Sequence, residues 1–198
     1  MKTFHTSVAC SDDDVLADTR RWLERAVIGL NLCPFAKSVY VKEQIRYVVS
    51  AATSEEALQH DLTDALKMLH DADPSEVDTI LLIHPHVLTD FLDFNDFLHI
   101  ADATVVSLGL EGEIQIASFH PQYQFAGTEA NDMSNYTNRA PYPTLHLLRE
   151  DSIDRAVAAF PDASDIFERN IEAMRQLGIE GWNALSEEPA TDKKINDV

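Results

Sequence analysis

Between Thr79 and His84 the chain reads Ile80-Leu81-Leu82-Ile83, with no polar residue among them. Successive side chains of a strand point to opposite faces, so a strand with one wet face must alternate apolar and polar positions. An unbroken apolar run bounded by turn residues instead needs cover on both faces. A largely parallel sheet between helical layers supplies it. The stretch "VDTILLIHP", residues 77–85, therefore argues for an α/β architecture before any other segment is read.

The flanking segments agree. Residues 11–31, "SDDDVLADTRRWLERAVIGLN", place Val15, Thr19, Trp22, Leu23, Ala26, Val27 and Leu30 at helical spacing, with Ser11 and Asp14 spaced as an N-cap pair. Pro34 blocks continuation of that helix and biases Cys33 toward an extended conformation. Residues 44–51 favour a strand, and 53–71 a helix whose buried stripe is Leu58, Leu62, Ala65, Leu66 and Leu69, with Thr53 and Glu56 as a capping box. A helix with Phe91, Phe94, Phe97 or Leu98, and Ala101 on one face follows the apolar run, then a strand at 113–120. Residues 121–140 are polar, and such a length without regular structure is unusual unless the segment has a task or hides a short element. Pro141 and Pro143 introduce a fourth strand at 143–149 and suit a position at the sheet's rim. Helical patterns at 151–159 and 163–177 end at Pro161 and Gly178.

The expected fold is thus a single α/β domain over residues 1–185. It has a largely parallel sheet of about four strands with helices on both faces, an extra N-terminal helix, and a polar tail at 186–198.

Charge narrows the function. Thirty-four Asp and Glu face fifteen Lys and Arg, a formal net charge of −19. Such a surface repels a phosphate backbone at long range, so nucleic acid is not the expected partner, whereas a local basic pocket can still hold a small polar or anionic molecule. Two cysteines, Cys10 and Cys33, do not make a disulfide framework. The opening "MKTFHTSVACSDDDV" lacks the apolar run of a signal peptide, and no window is long and apolar enough for a membrane span. The expectation is a cytoplasmic protein with no membrane partner. The glycine signatures of dinucleotide and P-loop sites are absent, as are H-E-x-x-H, C-x-x-C and G-x-S-x-G.

Two strands end in the same dipeptide, His84-Pro85 and His120-Pro121. If those strands are parallel, both imidazoles reach one sheet edge, where open α/β sheets bind ligands, and each proline turns the chain away and leaves its histidine at the mouth of a cleft. The bland alternative for each is a strand-end imidazole bonded to a loop carbonyl. Cys33, in a turn after the first helix, is a nucleophile if a histidine can draw off its proton, and otherwise a small buried hydrophobe. Arg139 offers a planar fork for a carboxylate or phosphate, although in so acidic a chain it can equally pair with Asp or Glu. His146 and Glu150, four apart at a strand end, offer a ring nitrogen and a carboxylate, while Arg149 to Asp151 also reads as a solvated turn.

Three segments, "GLNLCPFA", "FHPQYQFAG" and "NRAPYPTLHLLRE", occur in the order in which similar segments occur in a bacterial protein family known only as a domain of unknown function. The resemblance runs from about Asp14 to Gly178 and implies no particular activity. It does place Cys33, His120, Gln122, Asn138, Arg139 and His146 inside the family-like segments.

These readings converge on a small α/β enzyme, a hydrolase or group transferase, acting on a small polar or anionic substrate at a histidine-centred cleft. His120, His84 and Cys33 are the candidate catalytic residues. Arg139, Gln122 and Asn138 are the candidate substrate contacts, and His84, His120 and His146 are candidate ligands for a divalent metal. Metal-assisted and thiol-dependent chemistry both stay open. So does a non-catalytic binding protein, whose support is the aromatic supply in Phe119, Tyr123, Phe125, Tyr136 and Tyr142.

Overall fold

A computed structural model describes residues 11–158 and 165–186. Helix α1, Asp12–Trp22, opens with a reciprocal cap. The Ser11 hydroxyl accepts from the Asp14 amide at 3.3 Å, and the Asp14 carboxylate accepts from the Ser11 amide at 3.2 Å. The helix widens into one π-helical stretch, Leu23–Ile28, and the chain then reverses at Asn31, whose φ is 54°. A short helix α2, Ala36–Val41, precedes the first strand, β1, Ile45–Val49. Helix α3, Glu55–Asp71, is capped by Ser54, which accepts from the Ala57 amide at 3.3 Å. The cap thus lies one residue later than the expected Thr53 pairing, because Ser54 takes the extended conformation an N-cap needs.

Strand β2, Thr79–Ile83, leads to helix α4, Phe91–Ser107, and strand β3, Ile114–Phe119. The polar passage hides a 3-10 helix, Met133–Asn138, before strand β4, Thr144–Arg149. Helix α5 is Glu150–Ala158, and α6 spans Ile166–Ser186, broken at Gly178, where φ is 63° and ψ 176°. Gly178 does end the helical turn that 163–177 begins, but a second helical piece follows it. The polar tail lies outside the described residues apart from Ser186.

The sheet order is β1-β2-β4-β3. β1 and β2 pair in parallel, while β4 is antiparallel to both β2 and β3. This corrects the largely parallel sheet expected from the sequence. The sheet is mixed and mostly antiparallel, and β4 occupies an interior position instead of the rim. The reason lies in the connection after β3. A parallel fourth strand would need a crossover element long enough to carry the chain back to the starting edge. Residues 120–143 contain only six residues of 3-10 helix, so the chain leaves and re-enters the sheet at the same edge. Pro143 costs no ladder bond at the entrance, because pairing starts at Thr144 and the Pro143 carbonyl accepts from the His84 amide at 3.0 Å.

Although inserted strand β4 separates them, β2 and β3 are co-directional, so His84 and His120 do leave the sheet at one edge. Helices α3 and α4 share one face, the arrangement that two crossovers of the same hand make when they step across the sheet in one direction. Ile80, Leu82, Leu145, Leu147 and Ile114 pack there against Leu58, Leu62, Leu66, Phe94 and Phe97. On the opposite face Leu81 and Ile83 meet Val15 and Tyr142. Beside them Trp22, Leu23, Tyr136, Met174 and Trp182 form a further core between α1, the π-helical stretch, the 3-10 helix and α6. All four apolar side chains of β2 are at most 2 % exposed, as an unbroken apolar run requires. Among the described residues no helix is long and apolar enough to cross a membrane.

Candidate functional site

The two strand-end histidines point inward. His84 and His120 are both fully buried on the α4 side, flanking Phe94 at ring-centroid distances of 5.6 and 5.2 Å. His84 Nδ1 lies 3.0 Å from the Val87 carbonyl, which can only accept, so the proton sits on Nδ1. Its Nε2 lone pair has no partner among the described residues. His120 has the opposite tautomer. Its Nδ1 accepts from the Gln122 amide at 3.0 Å, and its Nε2–H donates to the Leu88 carbonyl at 3.2 Å. Leu88 carries a left-handed φ of 54°, so both imidazoles fasten the turn between β2 and α4. Burial pulls both pKa values down to about 4 and holds the rings neutral at neutral pH. The expectation that they stand at a cleft mouth is therefore corrected. Pro85 and Pro121 line the opening in their place.

His146 belongs to the other side of the sheet. Along β4, Leu145 and Leu147 face α3 and α4, so His146 between them faces the N-terminal and C-terminal helices and sits 6.1 Å from the Phe119 ring. The sheet thus separates His146 from His84 and His120, and the three do not share a centre. Among the described residues no group of three or more His, Cys, Asp or Glu side chains could hold a metal ion.

His146 lines a cavity of about 780 Å³ that also contains Cys33, with Trp22, Val27, Phe119 and Ile153 among its apolar walls. Thr79 fixes the imidazole. Its hydroxyl lies 2.7 Å from His146 Nε2 and 2.6 Å from the Leu147 carbonyl. The carbonyl can only accept, so the single hydroxyl proton goes to it and Nε2 must be the nitrogen that donates to Thr79. His146 then presents an unprotonated Nδ1, for which no protein partner occurs among the described residues. Burial lowers its pKa to about 4. Cys33 is half-buried and not in a disulfide. Burial pushes its thiol up, against the backbone amides of Phe35 and Ala36, which favour the thiolate. Cations gather on the same lining: Lys42, Arg149 and Arg155 accompany Asp78, the one acidic side chain there among the described residues.

A second, smaller cleft of about 310 Å³ opens at the edge where β2 and β3 end, lined by Arg139, Gln122, Thr89, Tyr142, Trp182 and Asn183 with four prolines. Arg139 stacks its guanidinium 4.0 Å over the Tyr136 ring and donates to the carbonyls of Tyr123 at 3.3 Å and Ala130 at 2.7 Å. It has no carboxylate partner among the described residues. Asn138 is a brace instead of a lining residue: its amide donates to the Ser118 carbonyl at 3.2 Å. The candidate residues therefore fall into three places. Cys33 and His146 share the large cavity, Arg139 and Gln122 share the small cleft, and His84, His120 and Asn138 hold turns.

Several residues at these sites escape a reading of sequence alone. Arg149 is buried, donating to the carbonyls of Leu69, Ala72 and Val77, and is not part of a solvated turn. Thr79 and Trp182 carried no signal beyond strand and helix propensity. Asn135, fully buried, accepts from the Phe125 amide and the Thr128 hydroxyl and donates to the Glu129 carbonyl, organising the polar passage. Its cue was a polar passage too long to lack a task.

The model of one protein family, described as a protein of unknown function, DUF1415, matches residues 14–184. The chain belongs to this family. The matched span takes in both openings, all four strands and the helices that face them, so cavity and cleft are parts of the family's own domain. No curated protein and no solved structure matches the chain.

Proposed function

We propose that this protein is a small cytoplasmic thiol-dependent enzyme, a hydrolase or group transferase, that takes a small anionic molecule with an apolar body into the 780 Å³ cavity. The observation that carries the reading is the presence of Cys33 and a tautomer-fixed His146 in one cavity. Nucleophile, base and an orienting third group form the usual constellation of covalent catalysis. His146 Nδ1 accepts the Cys33 proton as the sulfur bonds to an electrophilic carbon of the substrate. The leaving group departs with that proton, and water or a second acceptor then releases the group from sulfur. Thr79 is a positioning residue that holds the base in the right tautomer. The cations at the lining favour a carboxylate or phosphate on the substrate, and the net charge of −19 disfavours a nucleic acid.

Intact-protein mass spectrometry after incubation with the mono-4-nitrophenyl ester of succinic acid tests the reading. A one-to-one acyl adduct on Cys33 with release of nitrophenolate is expected, absent in Cys33→Ser and slowed in His146→Gln. Nitrophenolate release of equal size in Cys33→Ser, or no adduct on Cys33, would overturn the thiol route. Binding without turnover is the second reading, favoured by the raised thiol pKa and the apolar walls. Saturable binding of succinate or hexanoate with no covalent step in any variant would select it.

A further inference from the structure

The small cleft is not used by the chemistry above, and its composition is unusual for this chain. Acids outnumber bases by 34 to 15 in the sequence, yet among the described residues the cleft has no acidic lining residue and one charged side chain, Arg139. That guanidinium is held in place from behind. Tyr136 lies under its plane at 4.0 Å and takes a side-chain hydrogen bond from it, while two carbonyls take Nε–H and one Nη2–H, which leaves part of the five-donor fork for a ligand. Tyr136 is itself packed edge-on against Trp182, at 5.3 Å and 76°, so the base of the cation is rigid. Trp182 is only 7 % exposed. Thr89, Gln122 and Asn183 add neutral hydrogen-bonding groups, while Pro85, Pro121, Pro141 and Pro143 stiffen the walls. The cleft lies where β2 and β3 end, at the edge open α/β sheets use for ligands.

A cation fixed in advance, without a carboxylate to neutralise it, and walled by aromatic and proline rings is suited to an oxyanion on a flat apolar body. We propose that this cleft is a second binding site, distinct from the cysteine cavity, for a small carboxylate or phosphate carried on an aromatic or similarly planar group. Arg139 clamps the oxyanion, and Trp182 and Tyr142 contact the ring. A volume of about 310 Å³ limits the ligand to a single ring with its anionic group. Because it uses none of Cys33, His146 or Thr79, the site stands whether or not the thiol chemistry does.

Isothermal titration of the full chain with benzoate, phenyl phosphate and the neutral isostere benzyl alcohol tests the proposal, and the two anions distinguish a carboxylate site from a phosphate site. At least one anion should bind with a Kd of roughly 1 mM or tighter, and benzyl alcohol should bind at least ~10-fold more weakly. Arg139→Gln should weaken anion binding by about 10-fold or more. Arg139 also braces the loop through Tyr123 and Ala130, so a second variant is needed. Asn183→Glu leaves those bonds in place and puts a negative charge on the cleft wall. It should abolish anion binding while unfolding like the unaltered protein. Cys33→Ser should bind normally. The proposal is overturned if neither anion binds at 10-fold above that concentration, if benzyl alcohol binds as well, or if Asn183→Glu binds the anion unchanged.

Discussion

Thr79 has a single hydroxyl proton, and the Leu147 carbonyl claims it, so the state of His146 is set by a residue whose backbone belongs to the neighbouring strand. Thr79→Val removes the acceptor for His146 Nε2–H and lets the ring change tautomer. The expected outcome is a loss of Cys33 acylation by roughly 10-fold or more with little change in substrate Kd, read by single-turnover mass spectrometry. The thiol itself is raised by burial, so in the free protein its alkylation by iodoacetamide should keep rising with pH beyond the point where that of a free cysteine levels off. A Cys10→Ser background isolates Cys33 in that measurement, and fast alkylation at pH 7 would show a thiolate already formed. His84 and His120 have a different consequence. Their folded pKa values near 4 lie below the unfolded value of 6.5, so the unfolded chain binds more protons between those limits. The stability they confer is complete above pH 6.5 and is lost as pH falls through 4, by up to ~3 kcal/mol for each ring. Urea unfolding at pH 7, 6 and 5 should show a falling midpoint. His84→Gln, which keeps a donor for the Val87 carbonyl, should flatten that fall, and an unchanged slope would exclude His84 as a source.

At the scale of the elements, β4 decides where everything else sits. Its insertion between β2 and β3 brings His146 opposite Leu81 and Ala117 and so into the interior of one face. It also carries Arg149 to the C-terminal end of α3, where the guanidinium donates to Leu69, Ala72 and Val77. Helix C-termini leave carbonyls without intrahelical partners, and here a side chain from the sheet supplies the donors. Arg149→Met should therefore lower stability by about 2–4 kcal/mol, seen as a lower urea midpoint with an unchanged m-value. A loss under ~0.5 kcal/mol would mean that water satisfies those carbonyls as well. The helices were legible in sequence because their stripes repeat locally: Leu58, Leu62, Leu66 and Leu69 are all fully buried. The direction of β4 was harder to read. Its residues are compatible with either orientation, and the deciding fact is that 120–143 holds no element able to cross the sheet.

For the molecule as a whole, 19 excess negative charges repel one another in the compact state. Added salt should raise the thermal midpoint between 20 and 500 mM NaCl, since screening removes that repulsion, and a flat or falling midpoint would place the charge in local pairs instead. The same charge makes the two cation-bearing openings stand out, one with Lys42, Arg149 and Arg155 and one with Arg139 alone. The sequence by itself determined what depends on local period and composition: helices on both faces of a buried strand, caps such as Ser11, a formal net charge of −19, and family segments that hold Cys33, Arg139 and His146. It also placed His84 and His120 at one edge of the sheet, since both follow co-directional strands. Only the tertiary structure decided which way those rings turn, because that depends on loop carbonyls at Val87 and Leu88 and on Phe94 from another helix. It likewise decided that Cys33 lines one cavity with His146 and not with His120. Period-2 alternation assigns a side chain to a face, but which distant turn covers that face is fixed by packing between segments far apart in the chain.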